Sequence, residues 1–170
     1  MNIAHLGELT PDPQVEAWMV SPEVEIPCFP GTRLRFILMD FRGDPAPDEF
    51  TAAVRNPLGL SVERRMEATA CVFKNYVGFV ASVGEEDVDV KIAIPSDVWE
   101  HVQPTGVYVQ RGGPGDKVYV SITAECAWEQ EHGLQIVYRE GSELSRMSDQ
   151  DGHLTNSEAY ALPDGEDYIC

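Results

Sequence analysis

Across residues 117–128 every second residue is apolar: Val118, Val120, Ile122, Ala124, Cys126 and Trp128. A period of two puts all six side chains on one face of a pleated strand, so the segment has to pair with neighbours and lie on a core. Val88, Val90, Ile92 and Ile94 repeat the pattern against Asp87, Asp89, Lys91 and Ala93, which predicts a second strand with one wet face. Residues 107–110 lead through Gly112-Gly113-Pro114-Gly115 into the long strand. Residues 134–138 and 144–147 come after it, turning at Glu140-Gly141-Ser142. Short turns between successive strands predict an antiparallel meander.

The first half is punctuated by proline. Extended pieces at 15–20 and 24–29 are divided by Ser21-Pro22, and Pro30-Gly31 marks a turn before a strand over 33–41. There Leu34, Phe36 and Leu38 share one face and Ile37, Met39 and Phe41 the other, which predicts a central strand buried on both sides. Pro47 opens a short helix that Pro57 ends after Asn56. Ser61 then caps the strongest helix, running to about residue 80. Its stripe of Val62, Met66, Ala70, Phe73, Val77 and Val80 falls on one helical face and reads as core. A short helix over 96–102 lies between Pro95 and Pro104. The expected fold is α+β: a mostly antiparallel sheet with a C-terminal meander, packed on one long amphipathic helix and one or two short ones. At 170 residues it reads as a single domain, 1–170.

Charge narrows the function. Twenty-nine acids against 12 Lys and Arg give a net charge of −17. Nucleic acids and anionic membranes are bound through Lys and Arg, so neither is an expected partner. A basic protein is, because an acidic surface speeds its arrival by roughly 10 to 1,000-fold. The first 20 residues carry no basic residue and no apolar core of leader length. Cys28, Cys71, Cys126 and Cys170 lie far apart, without a CxxC pair. Cys71 and Cys126 fall on apolar faces and read as buried free thiols, and a cytoplasmic location is expected. The tail from Ala161 is acidic and ends in Tyr168-Ile169-Cys170, a segment that either docks through those residues or frays.

No GxSxG, GxxxxGK[ST] or GxGxxG motif occurs. Gly112-Gly113-Pro114-Gly115 precedes a strand rather than a helix and reads as a hairpin loop, not a phosphate cradle. Two segments approach a metal motif. Residues 147–158 align with an EF-hand loop at Asp149, Asp151, Gly152, Leu154 and Glu158, but Met147 stands where the first ligand belongs, and a strand precedes it. A hydrogen-bonded Asp-Gly turn is the better reading. Glu129, His132, Asp151 and His153 would suit a metal-assisted hydrolase if the meander brought their turns together, although no HxxxH or HExxH spacing is present. No cofactor is expected.

The stretch Cys126-Ala127-Trp128-Glu129-Gln130-Glu131-His132-Gly133-Leu134, with Asp151-Gly152-His153-Leu154-Thr155 after it, resembles an uncharacterised bacterial domain family. That family carries a Trp-x-x-Glu-His-Gly-Leu segment and an Asp-Gly-His-Leu-Thr segment. Lys74-Asn75-Tyr76 and Val98-Trp99 extend the resemblance over roughly residues 60–170. It implies no activity and no catalytic residue, only that small acidic domains of this kind serve as immunity proteins against secreted toxins. The leading expectation is thus an acidic cytosolic binder, an immunity or inhibitor protein that neutralises a basic toxin or effector, with the metal-assisted hydrolase, or a non-catalytic domain with neither property, as the alternatives. Its partner-facing residues are expected in Glu85, Glu86, Asp87 and Asp89; in Glu129, Glu131 and His132; in Asp149, Asp151 and His153; and in Asp164, Glu166 and Asp167.

Overall fold

A computed structural model describes residues 1–59, 61–113 and 115–170, apart from the side chains at 56–59 and 164. The chain opens with a ribbon of β1 (Asn2–Ile3) and β2 (Gly7–Glu8), then β3 (Thr10–Pro11) and β4 (Met19–Val20). A second ribbon pairs β5 (Val24–Glu25) with β6 (Arg33–Leu34), and β7 (Phe36–Leu38) comes directly after. Three helices come next: α1 (Pro47–Gly59), α2 (Val62–Met66) and α3 (Thr69–Val83). After 3-10 turns at Glu85–Asp87 and Pro95–His101 come β8 (Val102–Gly112), β9 (Lys117–Cys126), β10 (Glu129–Arg139) and β11 (Glu143–Asp149). Helix α4 (Asn156–Tyr160) and a 3-10 turn at Asp164–Glu166 end the chain.

The main sheet has the order β11-β10-β9-β8-β7-β4-β3. It is antiparallel except for β7 with β8, which are parallel and joined by the helical excursion. The fold class is therefore the one the alternating strands predict, with the meander β8 to β11 as its backbone. The strand expected over 33–41 is split between β6 and β7, and only one face of β7 is buried: Phe36 and Leu38 are fully enclosed, while Ile37 and Met39 on the other face are half-buried. β8 and β9 form the expected hairpin, closing with Gly112 opposite Lys117; Pro114 lies outside the described residues.

Register assigns the faces. Val107, Ile122, Ile136 and Met147 form one cross-strand row and Tyr108, Ser121, Val137 and Arg146 the next, on the opposite side. The first face carries the main core and takes the helices, with α1 bringing Phe50, Ala53 and Val54 and α3 bringing Cys71, Val72 and Tyr76. The second face is polar, and a small cluster of Tyr119, Val137 and Leu154 covers one end of it.

Several local expectations give way. The long helix breaks at residues 67–68, and the break shifts the helical phase of α3 relative to α2. Cys71, Val72 and Tyr76 face inward, while Val77 of the expected stripe is 47% exposed and Met66 37%. Helix α1 runs through Pro57 to Gly59, past the proline expected to end it after Asn56. Residues 88–94 bury Val88 and Ile92 but join no ladder. Instead the Tyr76 hydroxyl serves as their partner, donating to the Val90 carbonyl at 3.3 Å and accepting from the Ile92 N–H at 3.1 Å. Cys71 is no free thiol either: it is bonded to Cys170 across 99 residues. That bond docks the tail and removes the cysteine argument for a reducing compartment. Among the described residues no helix is long and apolar enough to cross a membrane.

Candidate functional site

The β9–β10 turn is built around one carboxylate. Glu129 is 8% exposed and accepts hydrogen bonds from the backbone N–H groups of Glu131 (2.7 Å), His132 (2.9 Å) and Gly133 (3.1 Å). Burial alone would push its carboxyl up, but the three N–H groups outweigh burial and hold it below the usual glutamate value. Gly133 is required for this turn. Its φ is +66°, and a Cβ there would come within 2.5 Å of the Ala124 carbonyl oxygen. His132 lies outside on the surface, its Nδ1 3.5 Å from Glu129.

From this turn a polar chain crosses to helix α3. The Trp128 indole donates to the Asn75 Oδ1 at 3.0 Å, and Asn75 donates to Asp149 at 2.7 Å. Tyr76, the next residue on α3, meets the Trp128 ring edge to face. Asn75, Asp149 and Glu129, together with Lys74, the Cys71–Cys170 disulfide and the stacked pair Tyr160 and Tyr168, line a groove of about 630 Å³ between α3, β11 and the tail. Lys74 donates to the Cys170 carbonyl at 3.0 Å and the Met147 N–H donates to that of Ile169 at 2.9 Å, so the tail docks over this groove.

The second turn does not meet the first. Arg146 is fully buried and gives both terminal nitrogens to Asp151, at 2.5 and 2.7 Å, while its Nε donates to Asn156 and its Nη1 also to the His153 carbonyl. Burial raises the Asp151 carboxyl, and the bidentate arginine more than reverses this, leaving it lowered. Arg146 lies on the polar face and Met147 on the helix side, so Asp149 is directed to the groove and Asp151 away from it. The four residues of the hydrolase reading therefore form no single set. Among the described residues, the carboxylates and imidazoles close enough to share an ion are Glu129, Glu131 and His132. The EF-like loop is likewise dispersed: Asp149 bonds Asn75, Asp151 bonds Arg146, and Glu158 accepts from the Leu154 N–H while Thr155 caps α4. Neither remaining thiol is a reactive one, since burial pushes Cys28 and Cys126 up to about 11.

The family model described as Domain of unknown function (DUF6985) matches residues 5–154. The chain belongs to this family. No curated protein and no solved structure matches the chain. Both turns fall within the family's matched span, whereas Asn156, Tyr160, Tyr168 and Cys170 of the groove lie beyond it.

Of the acids singled out in the sequence, Glu86, Asp87, Asp89, Glu131 and Glu166 are exposed, and Glu85 is exposed but 3.4 Å from Lys91. Asp167 is half-buried and caps the Ser157 N–H at 2.8 Å. The side chain of Asp164 lies outside the described residues. Sequence reasoning passed over Glu100 and Glu125, which line a depression of about 560 Å³ with His101 and Gln130 at the Val102 end of β8. It also passed over Arg146, although a lone cation among eight acids after residue 139 was a visible signal.

Proposed function

We propose that this chain is a binding domain of the immunity or inhibitor type, which neutralises a basic toxin or effector by covering it with acidic surface. The observation that carries this is where the cations go. Arg111 is committed to Asp44 and Glu49, Arg146 to Asp151, Arg64 to Glu67, Lys117 to Glu140 and Lys74 to the tail. With these five cations held in the chain's own contacts, the exposed Glu86, Asp87, Asp89, Glu100, Glu125 and Glu131 have no ion pair among the described residues. Such a surface attracts and orients a positive partner, and attraction of this kind acts chiefly on the association rate.

The test is affinity capture from cells of the source, then stopped-flow association with the captured protein. A one-to-one complex is expected, with an association rate that falls steeply with salt. Replacing Glu86, Asp87 and Asp89 together by Lys is expected to slow association about tenfold or more without changing the melting temperature. If no stoichiometric basic protein is captured, or if the charge reversal leaves association unchanged, the reading is wrong.

A further inference from the structure

One arginine is drawn into the body of the protein and given no counter-charge. Arg65, on α2, is half-buried, and its guanidinium lies over the Phe29 ring at 4.9 Å and over the Trp99 ring at 4.8 Å. Phe29 comes from the turn between β5 and β6 and Trp99 from the 3-10 turn at Pro95–His101, so three separate elements meet there. The cradle is held in place by its own contacts. The Trp99 indole donates to the Thr69 hydroxyl at 2.9 Å, the two rings meet edge to face, and both are buried.

What the guanidinium lacks is an acceptor. Its Nε is enclosed without a hydrogen-bond partner, and among the described residues the terminal nitrogens make no hydrogen bond or ion pair. Arg111 and Arg146 each meet carboxylates, and Arg64, beside Arg65, takes Glu67 at 2.9 Å. Around Arg65, burial works against the positive charge, and the groups placed to favour it are Cys28 and Tyr138. Burial pushes the Cys28 thiol up to about 11 and raises the Tyr138 hydroxyl as well, so both are neutral at pH 7. The two rings attract a cation through their faces, yet they leave its in-plane N–H groups without an oxygen. A desolvated charge with no anion beside it is costly, so an arginine kept in this state points to an anion that arrives from outside.

The setting selects the anion. With Nε enclosed, the two terminal nitrogens are the part of the guanidinium left for a ligand, and they form a planar fork that matches both oxygens of a carboxylate. A phosphate brings more negative charge to a single guanidinium. The exposed Glu63 and Glu100, on the elements that carry Arg65 and Trp99, oppose it, as does the net charge of −17. A singly charged carboxylate meets less of this repulsion, and one flanked by basic residues is drawn in by the same two acids. We infer that the Arg65 guanidinium, held between Phe29 and Trp99, binds a single carboxylate group, taken bidentately on its terminal nitrogens. A small free acid and an Asp or Glu side chain of a protein share this chemistry. The inference stands on Arg65 and its cradle, and holds whether or not the acidic surface meets a basic toxin.

The experiment is a nitrogen-edited NMR titration of the full chain at constant ionic strength, following the Arg65 Nε–H and the Trp99 indole N–H signals. The probes are acetate and a blocked Lys-Lys-Glu-Lys-Lys peptide; the controls are the same peptide with Gln for Glu, chloride and inorganic phosphate. At least one carboxylate probe is expected to shift both signals saturably. Tighter binding of the Glu peptide identifies a protein side chain as the source, and tighter binding of acetate a small free acid. Arg65→Met, which keeps the stem and removes the charge, should abolish the shift of the Trp99 signal without lowering the melting temperature. Arg65→Lys keeps the charge but loses the planar fork; it should weaken binding about tenfold or more, and it gives the reading if Arg65→Met does not fold. The inference is overturned if neither carboxylate probe moves the two signals, if any control moves them as strongly, or if the variants that fold bind like wild type.

Discussion

On its two faces the sheet disposes of one acid each, by opposite means. On the helix side, Glu129 is neutralised by three backbone N–H groups of its own turn, with no strong cation involved. On the polar side, Asp151 is neutralised by a fully buried arginine on β11, at the edge of the sheet. The first arrangement is local and needs little beyond a glycine at 133. The second reaches from β11 to α4 and fastens residues 151–157 over the sheet through His153 and Asn156. Two carboxylates that look alike in sequence thus serve as a turn former and as a counter-ion.

The largest effect should come from breaking the second arrangement. Asp151→Ala leaves the Arg146 guanidinium buried without a carboxylate, and removing one partner of such a pair costs about 3–5 kcal/mol. Arg146→Met is expected to cost less, because the stranded Asp151 is 41% exposed and can turn to water. Urea unfolding of the two variants checks the order; equal losses would mean that the arginine matters for packing rather than for charge. Next in size is the Cys71–Cys170 bond. Closing a span of 99 residues, it should contribute about 2–4 kcal/mol, seen as a lower urea midpoint in Cys71→Ser or under reductant. Because Arg146 holds the segment before it, hydrogen exchange should rise over 161–170 and stay unchanged over 153–157. Loosening of both would show that the two faces are not independently anchored.

Much of this was legible in the residues alone, and the division runs along a physical line. The alternation of 117–128 predicts a strand, its turns predict the meander, and both hold because period and turn chemistry are local properties. Partnership across the chain was not legible. Nothing in sequence ties Cys71 to Cys170, or tells that Tyr76 rather than a strand would satisfy residues 90–92. The alternation also understated the sheet. Tyr119, Ser121 and Thr123 sit at positions expected to be wet, yet they are buried, because the polar face is roofed at one end by Leu154 and indented at the other. The candidate acids were legible as a surplus of charge, but not which of them the fold consumes.

The smaller effects test the local turn. Glu129→Gln keeps one acceptor oxygen but sets an NH2 against a backbone N–H, so a loss of about 1–3 kcal/mol is expected. It should be measurable by thermal unfolding at pH 7. The same comparison fixes the response to acid. Glu129, Asp151 and Asp44 are all held below their ordinary values, the last first by its hydrogen bonds from Arg111. A carboxyl that binds its proton more weakly in the folded state contributes stability that is fully present above the unfolded value, 3.8 for Asp and 4.5 for Glu. That stability is lost as pH falls through the folded value. The urea midpoint should therefore be flat between about pH 8 and 5 and decline below about 4.5. Glu129→Gln should remove the upper part of the decline, while Asp151→Ala should flatten only the part below about pH 4. A decline that begins at the same pH in wild type and Glu129→Gln would mean that the three N–H groups do not hold the Glu129 carboxylate, and that the two faces handle their acids alike.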